Sequence, residues 1–303
     1  MLLLDKPLGV SSNAALQRAR RLFAAAKAGH TGTLDPLASG LLPVCFGEAT
    51  KFAQSLLDAD KRYRATVRFG VATTTGDAEG EVVDRGPVEF DRAALEAALA
   101  GFVGRIRQLP PAHAALKHQG KPLYAYARAG IEVPRETREV EIRALSLVDW
   151  RPPDAIVNVT CSKGTYVRTL AEDLGRALGT YAHLAALVRT GTGGFDLADA
   201  IAIDAIEALS PEDRLAWLRP VDCLLAALPR LDLPVDTARA LWCGQTVVAP
   251  EVAPARYRAY DASGTFVGVV GHADGRLTAE RMMRSHGPDE LPAPAALQSG
   301  RST

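Results

Sequence analysis

The sequence is poor in the features that hold metals and redox cofactors. It contains four cysteines in 303 residues, scattered without a Cys-x-x-Cys pair and without histidines at metal-ligand spacing. It also lacks a Gly-x-x-x-x-Gly-Lys-Ser/Thr loop, a His-Glu-x-x-His motif and a Gly-x-Gly-x-x-Gly turn between a strand and a helix. We therefore expect reduced thiols, no metal site, and an activity that requires no cofactor.

Long hydrophobic runs are missing as well. The apolar run Leu2 to Leu4 is followed at once by Asp5 and Lys6, so it is too short for a signal peptide or a membrane span. We expect a cytoplasmic protein without a membrane partner.

No sign of charge is in excess, because 35 Lys and Arg balance 35 Asp and Glu. The total charge therefore does not predict a polyanionic partner, since phosphate binding favours excess positive charge. Locally the charges are uneven, which favours either a mixed solvated surface or separate basic patches. The acidic residues concentrate at 77–81 and 204–213, and a basic cluster comprises Lys61, Arg62, Arg64 and Arg68.

The composition that remains is that of a globular enzyme, with 48% apolar and 23% charged residues. The length exceeds one average domain, and the prolines within 225–234 indicate a boundary. We predict a catalytic domain over 1–226 with an insertion at about 108–138. A small β-rich domain over 227–284 and a tail without structure over 285–303 complete the chain.

Two local patterns predict a strand and a helix that carry candidate site residues. From Tyr63 to Val71, apolar residues alternate with mainly basic ones, which predicts a strand with one apolar and one basic face. After an alternating segment at 156–160, a turn at 162–164 opens a helix that Gly179 closes. Strand, tight turn and helix together are typical of a segment that builds a site.

The segment 29–40 gathers a carboxylate, an imidazole and hydroxyls in a loop that its glycines allow to bend tightly. This composition predicts a carboxylate, Asp35, presented on a rigid turn. Two structural interpretations remain open: Asp before Pro is a common turn former, and His30 serves equally as a hydrogen-bonded loop residue.

Arg168 lies in the first turn of the predicted helix, where the helix dipole disfavours a cation. A residue whose position conflicts with its local helix preference often serves a functional site. An Arg168 directed at Asp35 would orient the carboxylate and keep it ionised, because a nearby positive charge lowers a carboxylate pKa. The alternative is an arginine that is solvated or bridges to Glu172.

Tyr63 is in phase with the apolar face of its strand, which is usual for a core aromatic residue. The functional alternative is a ring that stacks on an unpaired base and offers its hydroxyl for proton transfer. The spacing alone does not decide between the two.

Six motifs occur together in one order along nearly the whole chain, and with them the sequence resembles the bacterial tRNA pseudouridine-55 synthases of the TruB type. The motifs begin at residues 4, 29, 47, 60, 130 and 161 and read LDKPxGxSS, GHTGxLDP, GEATK, DKRY, GIEVPR and CSKGTYxR. Ala114 is a departure, since the family usually has serine there, which removes one expected RNA contact.

The resemblance implies an α+β catalytic domain with a mixed, largely antiparallel central sheet and flanking helices, followed by a small β-rich RNA-binding domain of the PUA type. It implies that Asp35 is the catalytic aspartate, Arg168 its salt-bridge partner, and Tyr63 the stacking aromatic and proton acceptor. It further implies that the uridine pocket is lined by His30, Tyr166 and Leu187 and supported by Lys6 and Pro7.

The implied function is conversion of uridine 55 in the T loop of tRNA to pseudouridine, on an extruded base and without cofactor or obligatory protein partner; an accompanying role in tRNA folding is left open. Two other classes remain as hypotheses. A glycoside or N-glycosyl hydrolase would pair Asp35 with Glu48, because two carboxylates can divide the acid and nucleophile roles. A noncatalytic RNA-binding protein would use only the basic segments and the C-terminal module.

Overall fold

The computed structural model describes residues 1–114 and 116–284. The tail predicted over 285–303 lies outside the described residues. The chain divides into two compact units, Met1–Pro220 and a second unit that begins at Val221. The domain boundary predicted after residue 226 stays a prediction. Among the described residues, no helix combines the length and apolar character needed to cross a membrane.

The first unit alternates strands and helices. Its strands are β1 (Leu2–Lys6), β2 (Ala28–His30), β3 (Ala38–Phe46), β4 (Lys61–Phe69), β5 (Val71–Thr73), β6 (Val82–Arg85), β7 (Gly104–Gln108), β8 (Lys117–His118), β9 (Lys121–Pro122), β10 (Arg138–Arg151), β11 (Asp154–Cys161), β12 (Ala182–Thr192), β13 (Phe195–Asp196) and β14 (Ile201–Ala202). Its α-helices are α1 (Ser12–Leu22), α2 (Ala53–Asp58), α3 (Arg92–Gly101), α4 (Leu123–Arg128), α5 (Val167–Ala177), α6 (Ile203–Glu207) and α7 (Pro211–Leu215).

A ten-stranded sheet forms the centre of this unit, in the order β14-β1-β3-β12-β4-β11-β10-β7, with β2 paired to β3 and β13 to β12. The pairs β1–β14 and β12–β3 are parallel and the others in the sheet are antiparallel. The predicted mixed, largely antiparallel sheet with flanking helices is thus confirmed. The parallel β12–β3 pair matters most for function, because it sets the segments that carry Arg189 and Asp35 side by side.

Capping residues fix where the helices of this unit begin. The side chain of Ser11 accepts a hydrogen bond from the amide of Ala14 at the start of α1, and Asp91 does the same for Ala94 at the start of α3. Helix α5 packs on β12 and β4 within the larger apolar core, with Leu170 and Leu174 fully buried there. This packing fixes the first turn of α5 relative to β4.

The second unit contains a five-stranded sheet in the order β15-β17-β18-β19-β16. Its described strands are β15 (Arg230–Asp232), β16 (Val247–Val248), β17 (Ala255–Tyr260), β18 (Phe266–Ala273) and β19 (Arg276–Met282), with one α-helix, α8 (Val235–Trp242). Turns at 261–265 and 274–275 connect β17 to β18 and β18 to β19. This unit is the small β-rich module that the sequence predicted.

Candidate active site

The loop that carries Asp35 joins β2 to β3 and is held rigidly from behind. Ser12 at the start of α1 is buried, and its Oγ accepts a hydrogen bond from the amide of Leu34 at 2.7 Å and donates to the Leu34 carbonyl at 2.8 Å. The amide of Gly9 donates to the Pro36 carbonyl at 2.8 Å. Both residues adjacent to Asp35 are therefore fixed, which presents the carboxylate in a defined direction.

Gly40 allows β3 to approach β12 closely. Its φ is +98°, and a Cβ at this position would overlap the backbone of Arg189, whose nitrogen would lie 2.9 Å away. Only glycine tolerates both conditions without strain. The close approach places Arg189 beside the loop that carries Asp35.

Arg168 extends from the first turn of α5 to Asp35. Its Nη2 lies 3.0 Å from Asp35 Oδ2, and the arginine side chain is 7% exposed while that of Asp35 is 44% exposed. Two carbonyls, those of Thr75 and His113, each accept a hydrogen bond from the guanidinium at 3.3 Å. The sequence alternative of a solvated arginine is excluded by this burial, and the structure brings the two predicted partners together.

Asp77 is a site residue that the sequence analysis assigned only to an acidic surface cluster. Its carboxylate is buried, and Oδ2 lies 3.3 Å from Nη1 of Arg168. Its Oδ1 accepts hydrogen bonds from Thr75 Oγ1 at 2.5 Å and from the amide of Glu79 at 3.1 Å. Arg168 is therefore held between two carboxylates, of which Asp77 is the deeper one.

The electrostatics of Asp35 differ from the simple expectation for a paired carboxylate. Burial is the largest influence and raises the Asp35 pKa above its ordinary value, and the charge of Asp77 raises it further. The charges of Arg168 and Lys6 lower it. The net direction is upward, so desolvation outweighs the guanidinium. The result is a carboxylate that is oriented by a cation yet more basic than a solvated aspartate.

Tyr63 lies near the start of β4, half-buried, and faces the cavity rather than the interior alone. Its cross-strand neighbour on β12 is Arg189, which is 1% exposed and lines the same cavity. Burial raises the pKa of Tyr63, and Arg189 is the strongest opposing influence. Arg189 also escaped the sequence analysis, although period-two alternation places it on the same face of β12 as Leu187.

These groups surround one cavity of about 420 Å³. The size is within the range of small-ligand pockets. Gln108 holds the backbone of Tyr166 through two hydrogen bonds, at 3.0 and 3.2 Å. Ala114 contributes a buried methyl group. Besides Ala114, the predicted site residues that line the cavity are Asp35, Tyr63, Tyr166, Arg168 and Leu187.

The other predicted site residues lie outside this lining. Lys6 is fully buried and donates hydrogen bonds to the carbonyls of Pro7 at 2.9 Å and Val10 at 2.5 Å, and burial lowers its pKa to about 8. These bonds brace the turn next to the loop that carries Asp35, and the supporting role of Lys6 and Pro7 stays a prediction. His30 is half-buried on β2, and burial followed by the charge of Arg189 lowers its pKa.

Glu48, the acid required by the glycosidase hypothesis, is bound elsewhere. Its Oε2 lies 2.6 Å from Nζ of Lys51, and it is not among the residues that line the cavity. The basic face of β4 is likewise occupied, since Arg68 pairs with Asp154 at 2.7 Å and Arg62 with Asp196 at 3.2 Å. Among the described residues, no group of three His, Cys, Asp or Glu side chains is arranged to hold a metal ion.

Family models match most of the chain. The N-terminal domain of TruB family pseudouridylate synthases matches residues 20–167, and the C-terminal domain of tRNA pseudouridylate synthase B matches residues 168–238. The tRNA pseudouridine synthase B of Burkholderia mallei strain NCTC 10247 is 56% identical over 290 residues, covering 93% of this chain and 96% of the relative. That of Thiobacillus denitrificans is 55% identical over 285 residues, covering 93% and 95%.

Solved structures share the fold at lower identity. A chain of an H/ACA RNP bound to a substrate RNA containing 2′-deoxyuridine gives a TM-score of 0.70 at 21% identity, covering 94% of this chain and 85% of that one. A chain of a Cbf5-Nop10-Gar1 complex gives 0.65 at 24% identity, covering 89% and 77%. These likenesses support the fold.

Proposed function

Because the chain belongs to the TruB family of pseudouridylate synthases, we propose that it converts uridine 55 in the T loop of tRNA to pseudouridine with Asp35 as the catalytic carboxylate. Pseudouridine synthesis in tRNA follows from the family; the position of the target and the role of Asp35 are the proposal. The observation that supports them is the Asp35–Arg168 ion pair of 3.0 Å at a cavity that also contains Tyr63.

The reaction breaks the bond between ribose C1′ and uracil N1 and joins C1′ to C5, so atoms and charge balance without a redox partner. Asp35 can act by attack on C1′, by attack on C6 or by removal of the C2′ proton. Each route needs an ionised carboxylate that points at the nucleotide. Arg168 provides the orientation, and the raised pKa gives the carboxylate more basicity than a solvated aspartate has.

The target uridine must leave its stack to reach Asp35, which costs least for an unpaired base in a loop. We propose that the extruded base lies in the cavity with Tyr63 as its stacking partner, and with Tyr166 and Leu187 against it. An aromatic face supplies about 1–3 kcal/mol per stacked base. We propose that His30 supports the residues that line the cavity and does not contact the base itself.

The T arm is the proposed partner surface of the tRNA. The insertion over about 108–138 borders the cavity through Ala114 and Leu116 and is joined to Tyr166 through Gln108. We propose that it contacts the T arm. A cytoplasmic location, where tRNA is modified, is part of the same proposal.

The test is to map pseudouridine in a tRNA transcript after incubation with the purified protein. We expect one modified uridine, at position 55, and none in a transcript that carries cytidine at that position. Nucleoside analysis of the same samples distinguishes the hydrolase hypothesis, because a glycosylase releases free uracil. Modification at another uridine, or free uracil without pseudouridine, would contradict the proposal.

A further inference from the structure

Arg189 is the largest side chain that the first unit buries completely, at 1% exposure. Its Nε donates to the Leu41 carbonyl at 2.7 Å and its Nη2 to the Gly32 carbonyl at 3.1 Å. Both carbonyls are neutral, so they satisfy its donors without compensating its charge. A buried cation without a counter-ion is costly, which makes the remaining partner of this guanidinium significant.

That partner is the phenol of Tyr63. Among the described residues no carboxylate forms an ion pair with Arg189, whereas Tyr63 lies directly across from it on β4 and both side chains line the same cavity. Desolvation lowers the pKa of Arg189, and the interaction with Tyr63 is the influence that raises it. Arg189 is thus buried beside a half-buried phenol, and among the described residues the phenol oxygen is the group beside it that can become an anion.

Chemistry fixes the direction of any hydrogen bond between these two side chains. A guanidinium carries only donors, so the phenol oxygen must be the acceptor. A phenol that accepts from Arg189 keeps its own O–H for a different acceptor. Because Tyr63 lines the cavity that contains Asp35, this hydrogen is free to face the base.

From this geometry we propose that Arg189 is a positioning residue that aims the Tyr63 hydroxyl at the uracil and stabilises the Tyr63 oxygen while it carries a proton from C5 to N1. The inference rests on the proposed function, and it adds a residue that acts through Tyr63.

The proton balance is closed within the site. After C5 has bonded to C1′, C5 still carries its hydrogen and N1 carries none. Tyr63 gives its hydroxyl proton to N1 and takes the C5 proton, so the phenol is regenerated and the net charge is unchanged. When the two transfers are not simultaneous, a Tyr63 phenolate forms briefly, and Arg189 is the cation that faces it. Burial alone would make that anion prohibitively costly.

A fluorinated tyrosine at position 63 tests the inference, because ring fluorination lowers the phenol pKa without changing its shape greatly. The fluorinated residue is combined with the substitution Arg189→Lys. Lysine keeps the positive charge but lacks the planar guanidinium whose nitrogens can reach a backbone carbonyl and the phenol together. Melting and tRNA binding are measured first, and single-turnover pseudouridine formation follows. We expect Arg189→Lys to slow product formation roughly 10²-fold, the size of a typical proton-transfer contribution.

The decisive result is recovery. We expect 3,5-difluorotyrosine at position 63 to restore a substantial part of the rate in the Arg189→Lys protein, and to have a smaller effect when Arg189 is present. A purely structural role for Arg189 would not respond to the acidity of the phenol. A folded, tRNA-binding Arg189→Lys protein with a normal rate, or one that difluorotyrosine does not improve, would overturn the inference.

A second measurement keeps the inference testable if Arg189→Lys does not fold. Tyr63→Phe retains Arg189 and removes only the hydroxyl, so the Arg189 guanidinium proton resonances should shift in the NMR spectrum. Unchanged resonances would overturn the inference. Failure of the proposed function is distinguishable, because it would appear as absent or misplaced pseudouridine with the unaltered protein.

Discussion

Arg168 and Arg189 are both almost fully buried beside the same cavity, yet their charges are compensated in different ways. Arg168 lies between the carboxylates of Asp35 and Asp77, at 3.0 and 3.3 Å, so a negative charge faces it permanently. Arg189 faces two carbonyls and the phenol of Tyr63. The two arginines therefore have different tasks. Arg168 supplies a constant positive charge that orients the Asp35 carboxylate, whereas the charge of Arg189 is fully compensated only when Tyr63 has lost its proton.

Removing Arg168 should have the largest effect on stability. Arg168→Met leaves the buried Asp77 without its cation, which typically costs about 3–5 kcal/mol. It also removes the charge that lowers the pKa of Asp35, so the carboxylate becomes harder to ionise. We expect product formation to fall by about 10²–10³-fold in the protein that remains folded. Thermal melting and single-turnover assays measure the two effects.

Arg168→Lys is the matched control for this variant, because an ammonium keeps the charge but reaches only one carboxylate well. Its melting temperature should lie between those of the wild type and Arg168→Met. Equal stability of all three proteins would show that the carboxylates do not depend on the guanidinium.

Asp77→Asn should have a smaller effect, since Arg168 keeps Asp35 as a partner. The amide retains an acceptor for Thr75 and loses one charge-assisted bond, worth about 1.5–3 kcal/mol. We expect a lower melting temperature and a roughly tenfold slower reaction, because Arg168 is less firmly placed. Glu48→Gln is the control for loss of an acid outside the cavity, and it should leave the rate unchanged. A Glu48 variant as slow as Asp77→Asn would revive the two-carboxylate hydrolase hypothesis.

The pH dependence should change in a defined direction in the same protein. The reaction needs ionised Asp35, so its rate falls as pH drops through the Asp35 pKa, which burial raises above its ordinary value and Asp77 raises further. Asp77→Asn removes that second influence and leaves Arg168 facing Asp35 alone. The acid limb of the single-turnover profile should therefore move to lower pH. A shift to higher pH would mean that the wrong carboxylate has been assigned.

The smallest effect is expected from Arg68, an exposed arginine on β4, the strand that also carries Tyr63. Arg68 forms an exposed ion pair with Asp154, and such pairs contribute at most about 1 kcal/mol. Arg68→Gln should therefore leave melting and activity nearly unchanged, in contrast to Arg168 and Arg189. A loss of activity comparable to theirs would show that burial is not what distinguishes the arginines.

Local patterns in the sequence predicted the elements around the site well. The alternation predicted from Tyr63 to Val71 corresponds to β4, although β4 ends at Phe69 because Gly70 has a φ of +81°, and Val71 begins β5. The turn at 162–164 leads into α5 with Arg168 in its first turn. These predictions succeeded because period and turn chemistry depend on neighbours in the chain. The mixed sheet was implied by resemblance, since strand order depends on contacts far apart in sequence.

Asp77 and Arg189 were missed for a physical reason. Asp77 belongs to an acidic run that is normally a solvated surface, but its side chain is buried by contacts with distant residues, among them the ion pair with Arg168. Arg189 lies in a strand whose apolar face offers no local sign of a cation. Two adjacent serines also differ in role, since Ser11 caps α1 whereas Ser12 holds the Leu34 backbone beside Asp35. Tertiary contacts alone reveal these roles.

The central claim is that Asp35 performs the chemistry, and Asp35→Asn with unmodified tRNA tests it most directly. Removing the charge of Asp35 relieves the cost of a desolvated carboxylate but also removes its ion pair with Arg168, which keeps Asp77; the two effects oppose each other, so melting should be nearly unchanged. We predict a folded protein that binds tRNA and makes no pseudouridine. Near-normal pseudouridine formation by this folded variant would contradict it, because an aspartate that only forms a turn is replaced by asparagine without loss.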